Sequence, residues 1–249
     1  MTGGWDPFAA WPAWTVAFAA AGLAAVVGCR KLETARDAAV AGLVHALAAK
    51  DPYTGEHTER VARYSVYIGK ELGFSRRRLR RLRQAALLHD VGKLAVPNAL
   101  LNKPDRLTHR EFGEVQRHVS AATEIIGAID VLRPLAVVAE GHHRRFDGGG
   151  YGRGGTSKDA AVVAVADAYD AMTSTRPYRR ALPQATAFAE LRARAGTQFD
   201  PVCVAALVTA LGRRGERHGP GWERSRVEFA VEPPIVGVGS AGLLDAVPR

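Results

Sequence analysis

Apolar residues recur at intervals of three and four positions through most of the chain between residues 33 and 212. This spacing puts them on one face of a helix, whereas a half-buried strand would alternate apolar and polar positions. The pattern predicts a succession of amphipathic helices that pack into one all-α domain over residues 33–212. Beyond it the chain is rich in Gly, Pro and Arg with weak periodicity, so residues 213–249 are expected to form a poorly ordered tail.

The apolar stretch over residues 8–29 departs from this pattern because it contains no charged residue. Its length is close to the ~20 residues that cross a hydrocarbon core. Tryptophans gather near its start, and Arg30 and Lys31 follow its end, so the positive-inside rule places residues 1–7 outside and the domain in the cytoplasm. The pattern therefore predicts one N-terminal transmembrane helix in the cytoplasmic membrane. An alanine-rich buried helix is the alternative.

The net charge of +9 comes mostly from arginine and favours an anionic partner, such as a phosphate or a lipid headgroup. Six arginines lie between residues 76 and 83, where a solvated helix face is expected and attraction to an anionic membrane is the alternative. No combination of aromatic and basic residues indicates a platform for stacked bases, so nucleic acid is not an expected partner. The two cysteines are far apart in the sequence and indicate no disulfide framework.

Candidate chemistry centres on His89 and Asp90, which end an apolar, helix-favouring run. Ionisable pairs are seldom buried in a core helix unless something compensates for their lost hydration. An imidazole and a carboxylate can both bind a metal ion, and the carboxylate has two oxygens with which to bridge two ions. Taken alone, the two residues would ordinarily be interpreted as a surface pair. Further His and Asp residues on other helices favour a metal site instead.

Seven ionisable residues fall on the predicted inward faces or at the inner ends of the helices. They are His57, His89, Asp90, His118, His142, His143 and Asp167. Any one of the histidines alone would more often be a core residue with a satisfied hydrogen bond. Because one metal needs only three or four protein ligands, seven ligands with Asp90 bridging predict two octahedral divalent ions, Fe or Mn.

Two such ions ~3.5–4 Å apart lower the pKa of a water between them to ~7 and clamp a phosphoryl group for in-line attack. Lys93 follows Asp90 by one helical turn and can polarise a phosphate oxygen or protonate the leaving oxygen, unless it faces solvent. Residues 144–155 are too rich in glycine for a helix or a strand. Their backbone N–H groups can approach an anion closely, although a flexible surface loop would have the same composition.

Several short motifs follow one another along residues 51–204. They are Asp51-x-Tyr53-Thr54-x-x-His57, His89-Asp90-x-Gly92-Lys93, Lys103-Pro104, His118, His142-His143, Asp147-Gly148-x-Gly150-Tyr151, Ala166-Asp167 and Thr173-Ser174-x-Arg176-Pro177-Tyr178-Arg179. Together they resemble the HD-GYP subgroup of the HD phosphohydrolases, bacterial cyclic di-GMP phosphodiesterases that act in second-messenger signalling. The resemblance implies an all-α HD-domain helical bundle with a di- or trinuclear metal centre. It also implies hydrolysis of cyclic di-GMP to pGpG, GMP or both.

The resemblance assigns roles to individual residues. It implies that the seven ionisable residues above are the metal ligands. The expected catalytic residues are Lys93 and Asp90, and the expected substrate contacts are Arg176, Arg179, Gly150 and Tyr151. Members of the family with a third metal carry Glu at the position of Tyr53, so two metals are expected here.

Two positions depart from the family pattern. Arg144 stands where the family usually has Glu, and Gly152 replaces the proline of the Gly-Tyr-Pro signature. Loss of that proline loosens the loop, so the departures bear on substrate choice and turnover. The alternatives are an HD phosphohydrolase for another cyclic dinucleotide or nucleotide, and a non-catalytic module that binds a nucleotide or a signalling partner. The sequence also leaves a homodimer or a signalling-protein partner open.

Overall fold

The computed structural model describes residues 13–219, apart from residues 104, 106, 153, 154, 156 and 176–179. The described chain is all-helical and contains no strand. Its α-helices are α1 (Ala13–Lys50), α2 (Pro52–Glu71), α3 (Arg76–Leu88), α4 (Asn98–Leu101), α5 (His109–Gln116), α6 (His118–Gly127), α7 (Ala136–Gly141), α8 (Lys158–Thr173), α9 (Gln184–Ala193) and α10 (Pro201–Arg214). Two 3-10 helices span Val91–Ala95 and Arg133–Leu135.

Helix α8 forms the centre of the bundle. Every residue from Ala160 to Thr173 is buried, and most of them are Ala or Val. Such small side chains let neighbouring helices approach closely, and α2, α7, α9 and α10 all pack against α8. The two carboxylates in this segment, Asp167 and Asp170, are consequently buried as well. Because a buried charge is costly, each of them needs a compensating partner.

The structure does not support the predicted transmembrane helix. Residues 1–12 lie outside the described residues, and none of the described helices is apolar over a sufficient length to span a bilayer. Residues 13–29 form the first part of α1, which continues through Arg30 to Lys50. No proline interrupts this helix and alanine, the best helix former, is its commonest residue, so the apolar stretch and the first helix of the domain are continuous. The membrane location stays a prediction from the sequence.

The last helix extends beyond the predicted end of the domain at residue 212. Helix α10 continues to Arg214, and the chain then turns back toward the bundle. The His218 ring makes an edge contact with Tyr64, with 5.4 Å between the ring centroids. His218 also contacts the Tyr169 ring, and Gln184 donates to the backbone oxygen of Glu216 at 3.1 Å. The described residues of the predicted tail, 213–219, thus contact the bundle, and the poorly ordered tail stays a prediction from the sequence. Residues 220–249 lie outside the described residues.

A close backbone contact fixes the segment that carries Asp90 and Lys93. The 3-10 helix Val91–Ala95 packs against the start of α6. A Cβ atom added at Gly92 would lie 1.8 Å from the backbone oxygen of His118. Only glycine fits this approach. The contact holds the Asp90 segment beside the first turn of α6, where His118 is located.

We predict that Gly92→Ala destabilises the domain by at least ~2 kcal/mol, because the added methyl group overlaps backbone atoms that cannot move aside. Gly113→Ala is the matched control, since Gly113 is exposed on α5 and a Cβ there meets nothing within 4 Å. That change should raise stability by up to ~1 kcal/mol through helix propensity. Urea unfolding of both variants measures the difference, and equal stability of Gly92→Ala and the parent would contradict the packing described here.

Candidate metal centre

The bundle brings the seven predicted ligand residues to one buried site. They come from α2 (His57), the end of α3 (His89 and Asp90), the start of α6 (His118), the end of α7 (His142 and His143) and the middle of α8 (Asp167). None of them exposes more than 4% of its surface. Elements from five parts of the chain thus converge where the sequence predicts a metal site.

Asp90 lies between two groups of potential ligands. His57, His89 and Asp167 form one group and His118, His142 and His143 the other, while a third set, His89, Asp90 and His142, overlaps both. The Oδ2 atom of Asp90 lies 3.4 Å from His89 Nε2, on the side of the first group. Its Oδ1 atom lies 3.5 Å from His118 Nε2, on the side of the second group. One carboxylate oxygen therefore faces each group, which is the arrangement that a bridging ligand requires.

Backbone carbonyls orient three of the histidines. The Nδ1 atoms of His89, His118 and His142 lie 2.6, 2.7 and 2.7 Å from the carbonyl oxygen three residues earlier in the chain. A carbonyl only accepts, so each Nδ1 carries the proton and each Nε2 keeps a lone pair, which on His118 faces His143 Nε2 at 3.2 Å. The buried Nε2 atoms of His89 and His142 have no hydrogen-bond partner among the described residues. Buried nitrogens held in this way fit a metal ion.

Burial and neighbouring charges set the protonation of these groups. Burial, together with nearby His89 and His118, lowers the pKa of His142 to about 3. Burial alone would raise the pKa of Asp90, but Lys93 and the surrounding histidines hold it well below its ordinary value. A neutral imidazole and an ionised carboxylate are the forms that bind a metal. The environment thus favours the ligating forms of His142 and Asp90. Burial would also lower the pKa of His57, but the Asp167 and Asp170 carboxylates raise it above its ordinary value.

Lys93 is the buried cation of the site. Its side chain is 6% exposed, and its Nζ lies 2.5 Å from Oδ2 of Asp90. The alternative of a solvent-facing lysine is therefore wrong. An ammonium group in this position can balance negative charge on a bound phosphate or give up a proton.

The family follows from comparison with known proteins. The sequence profile of the HD domain matches residues 43–203, which is more than half of the chain. The chain belongs to the HD domain family. The 3'3'-cGAMP-specific phosphodiesterase 3 of Vibrio cholerae is 41% identical over 167 residues, which cover 66% of this chain and 36% of that protein. The cyclic di-GMP phosphodiesterase response regulator RpfG of Xanthomonas campestris is 37% identical over 172 residues, 67% of this chain and 46% of its own length.

These relatives confirm the resemblance to HD-GYP phosphodiesterases, and a solved structure supports the HD fold. The protein Bd1817, an HDG"Y"P protein from Bdellovibrio bacteriovorus, aligns with a TM-score of 0.56 at 18% identity. The alignment covers 74% of this chain and 64% of that one. At this identity the likeness establishes the helical HD bundle alone. The chain spans less than half the length of the two curated relatives.

One further buried carboxylate, Asp170, lies behind His57, on the side of the ring away from the other potential ligands. Its Oδ2 lies 2.7 Å from Nδ1 of His57, and Arg60 donates from Nε to its Oδ1 at 2.7 Å. A carboxylate behind a ligating histidine fixes the orientation of the ring, so that the other nitrogen faces the metal. The sequence contained a signal for this pair, because Asp170 follows Asp167 by three residues on one face of α8.

Lys50 is a second residue that sequence reasoning missed. From the end of α1 its Nζ donates to the backbone oxygens of Lys93, Leu94 and Val96 at 3.0, 2.7 and 2.6 Å. These bonds hold the segment that follows His89 and Asp90. They are strong because hydrogen bonds from a charged donor are roughly twice as strong as neutral ones. A lysine at a helix end carries no sequence signal for such a contact, because its partners lie more than 40 residues away.

The glycine-rich loop covers one side of the buried cluster of potential metal ligands. The Tyr151 ring stacks on His143, with 4.5 Å between ring centroids. Gly150 has a φ of 80°, and a Cβ there would lie 2.3 Å from the carbonyl oxygen of His143, so its conformation requires glycine. Burial raises the pKa of the Tyr151 phenol, which stays protonated as a hydrogen-bond donor. Arg176 and Arg179 lie outside the described residues.

We predict that Asp170→Asn weakens metal binding by ~10–100-fold, because the amide no longer holds the His57 ring with a charged acceptor. The measurement is competitive titration of Mn²⁺ against a chelating dye. Asp159→Asn is the matched control, since Asp159 lies on the same helix but pairs with Arg78 at the surface. Unchanged affinity in Asp170→Asn would show that this carboxylate does not orient a ligand.

Proposed function

We propose that this chain is a metal-dependent phosphodiesterase that hydrolyses a cyclic dinucleotide, with cyclic di-GMP as the leading substrate and pGpG or GMP as the product. The observation that carries the proposal is the buried set of seven potential ligands, six of them arranged around Asp90, with Lys93 beside it. Support also comes from the relatives, whose names describe phosphodiesterases for cyclic di-GMP and 3'3'-cGAMP.

The donor set fits two divalent first-row ions, and we propose Fe or Mn. His57, His89 and Asp167 would hold one ion, His118, His142 and His143 the other, and Asp90 would contact both. Imidazole and carboxylate ligands suit these metals. When bound, two such ions lower the pKa of water and clamp a phosphoryl group. Tyr53 stacks nearly parallel to the His57 ring, where three-metal members of the family carry Glu, which supports two ions.

The protein's own residues would manage the charge and the proton. Hydrolysis joins the hydroxyl group of water to phosphorus, breaks one P–O bond and leaves a proton on the departing ribose oxygen. Lys93 is a buried ammonium next to Asp90, so it can neutralise phosphate charge and protonate that oxygen. Tyr151 offers its phenol O–H beside His143 as a hydrogen-bond donor to the bound substrate. We further propose that Arg176 and Arg179 hold the substrate phosphates through paired N–H donors.

A second candidate substrate is 3'3'-cGAMP. The specific observation is the 41% identity to a Vibrio cholerae protein named for that substrate. Both dinucleotides contain two phosphodiesters in one ring, so the same metal clamp and the same lysine would serve either. Discrimination between them would depend on contacts to the bases.

The test is hydrolysis of cyclic di-GMP, 3'3'-cGAMP and cyclic di-AMP by the purified Mn²⁺-loaded chain, with the products separated by chromatography. We expect turnover of cyclic di-GMP and loss of both metal and activity in Asp90→Ala. Lys93→Met should retain metal but lose at least ~100-fold in kcat, because it removes the proton donor. Lys70→Met, at an exposed position on α2, is the control and should match the parent. A metal-loaded parent that leaves all three dinucleotides intact would falsify the proposal.

A further inference from the structure

The two residues that depart from the family pattern contact each other. The Arg144 guanidinium donates from Nη1 to the backbone oxygen of Gly152 at 3.1 Å and from Nη2 to that of Gly148 at 3.4 Å. Arg144 is half-buried and forms no ion pair with a carboxylate of the described chain. Its two Nη atoms are therefore directed to the loop's own carbonyl groups, whereas its buried Nε has no hydrogen-bond partner among the described residues.

Gly152 adopts a backbone conformation that proline cannot adopt. Its φ is 105°, whereas the proline ring holds φ near −65°. A Cβ at this position would also lie 2.2 Å from the carbonyl oxygen of Glu140. Glycine is thus required by the path of this loop, and a proline would force the chain onto another path.

The Arg144–Gly152 contact joins the two sides of the loop next to the site. Arg144 directly follows His143, and Gly152 directly follows Tyr151, whose ring stacks on His143. The Tyr151 N–H also donates to the His143 carbonyl oxygen, but this bond is long at 3.4 Å. A backbone bond from the Arg145 N–H to the Gly149 oxygen, at 3.0 Å, closes the tip of the loop. At its base, where Tyr151 meets His143, the charge-assisted guanidinium contact is shorter than the backbone bond beside it.

We propose that Arg144 is a positioning residue that holds Tyr151 against His143 through the Gly152 carbonyl group. Glycines give the loop a large conformational entropy when it is free, and the guanidinium restricts it where the family uses a proline ring. The two departures then compensate for each other and do not indicate loss of the site. The effect on turnover rests on the proposed function, whereas the Arg144–Gly152 contact, called the clamp below, does not.

The first test measures loop opening by hydrogen–deuterium exchange of the full chain. Arg144→Met should speed exchange of the amides in residues 145–152 by about tenfold, since loss of the clamp raises the population of open loop. Arg145→Met is the matched control, because the neighbouring Arg145 pairs with Asp147 at the loop surface and does not contact Gly152. We expect a smaller change there, and equal exchange in Arg144→Met and the parent would overturn the proposal.

A double-mutant cycle tests whether Arg144 acts through Gly152. Gly152→Ala should shift the carbonyl group that Arg144 binds, so adding Arg144→Met to it should speed exchange little further. Multiplicative effects of the two changes would show that they act independently and would overturn the clamp. Because exchange needs no substrate, this result stands whether or not the chain hydrolyses a dinucleotide.

Kinetics on the metal-loaded chain complete the test. With metal content and melting temperature unchanged, Arg144→Met should raise KM by about tenfold and leave kcat within about twofold, because it alters the orientation of the residue that meets the substrate. Arg145→Met should leave both constants near those of the parent. An Arg144→Met enzyme with the parental KM would show that the clamp does not position Tyr151. Absence of hydrolysis in the parent would count against the proposed function. The exchange experiment alone would then show whether Arg144 restricts the loop.

Discussion

The enclosed carboxylate of Asp90 is the constraint on which the rest of the site depends. A buried charge of this kind is very unfavourable unless cations or hydrogen-bond donors replace the lost water. Lys93 meets one of its oxygens at 2.5 Å, and histidines from several helices surround both. The helices converge so tightly because α8 consists mostly of small residues along its buried length. The close packing of the helices is therefore what brings together the charged and polar groups that stabilise Asp90.

The surrounding backbone and side chains limit how the ligands can move. Carbonyl oxygens one turn earlier fix three of the imidazoles, whereas Asp170 and Arg60 do so for His57. Lys50, at the end of α1, forms hydrogen bonds to the segment after His89 and Asp90, and Gly92 allows that segment to pack against α6. A site held in this way loses little entropy when it binds a metal, since its ligands are already oriented.

The sequence was sufficient for the parts that depend on periodicity and motif spacing. His57 lies on an apolar helical stripe and Asp167 in an apolar helix, so both could be assigned to the interior before their partners were known. Asp170 was missed although it follows Asp167 by three residues on one helix face, because that spacing alone does not reveal that its carboxylate meets His57 on another helix. Lys50 and the Arg144–Gly152 contact could not be predicted, since both depend on the path of loops. The transmembrane helix was predicted from the length of an uncharged stretch and the residues that flank it, but no described helix is apolar over a length that would span a membrane.

The most direct measurement of the central claim is anomalous diffraction from crystals of the Mn²⁺-loaded chain. The account predicts two anomalous peaks ~3.5–4 Å apart, one on each side of Asp90, with the first contacted by His57 and the second by His118. A single peak, or two peaks that do not share Asp90, would contradict the bridging arrangement from which the proposed chemistry follows.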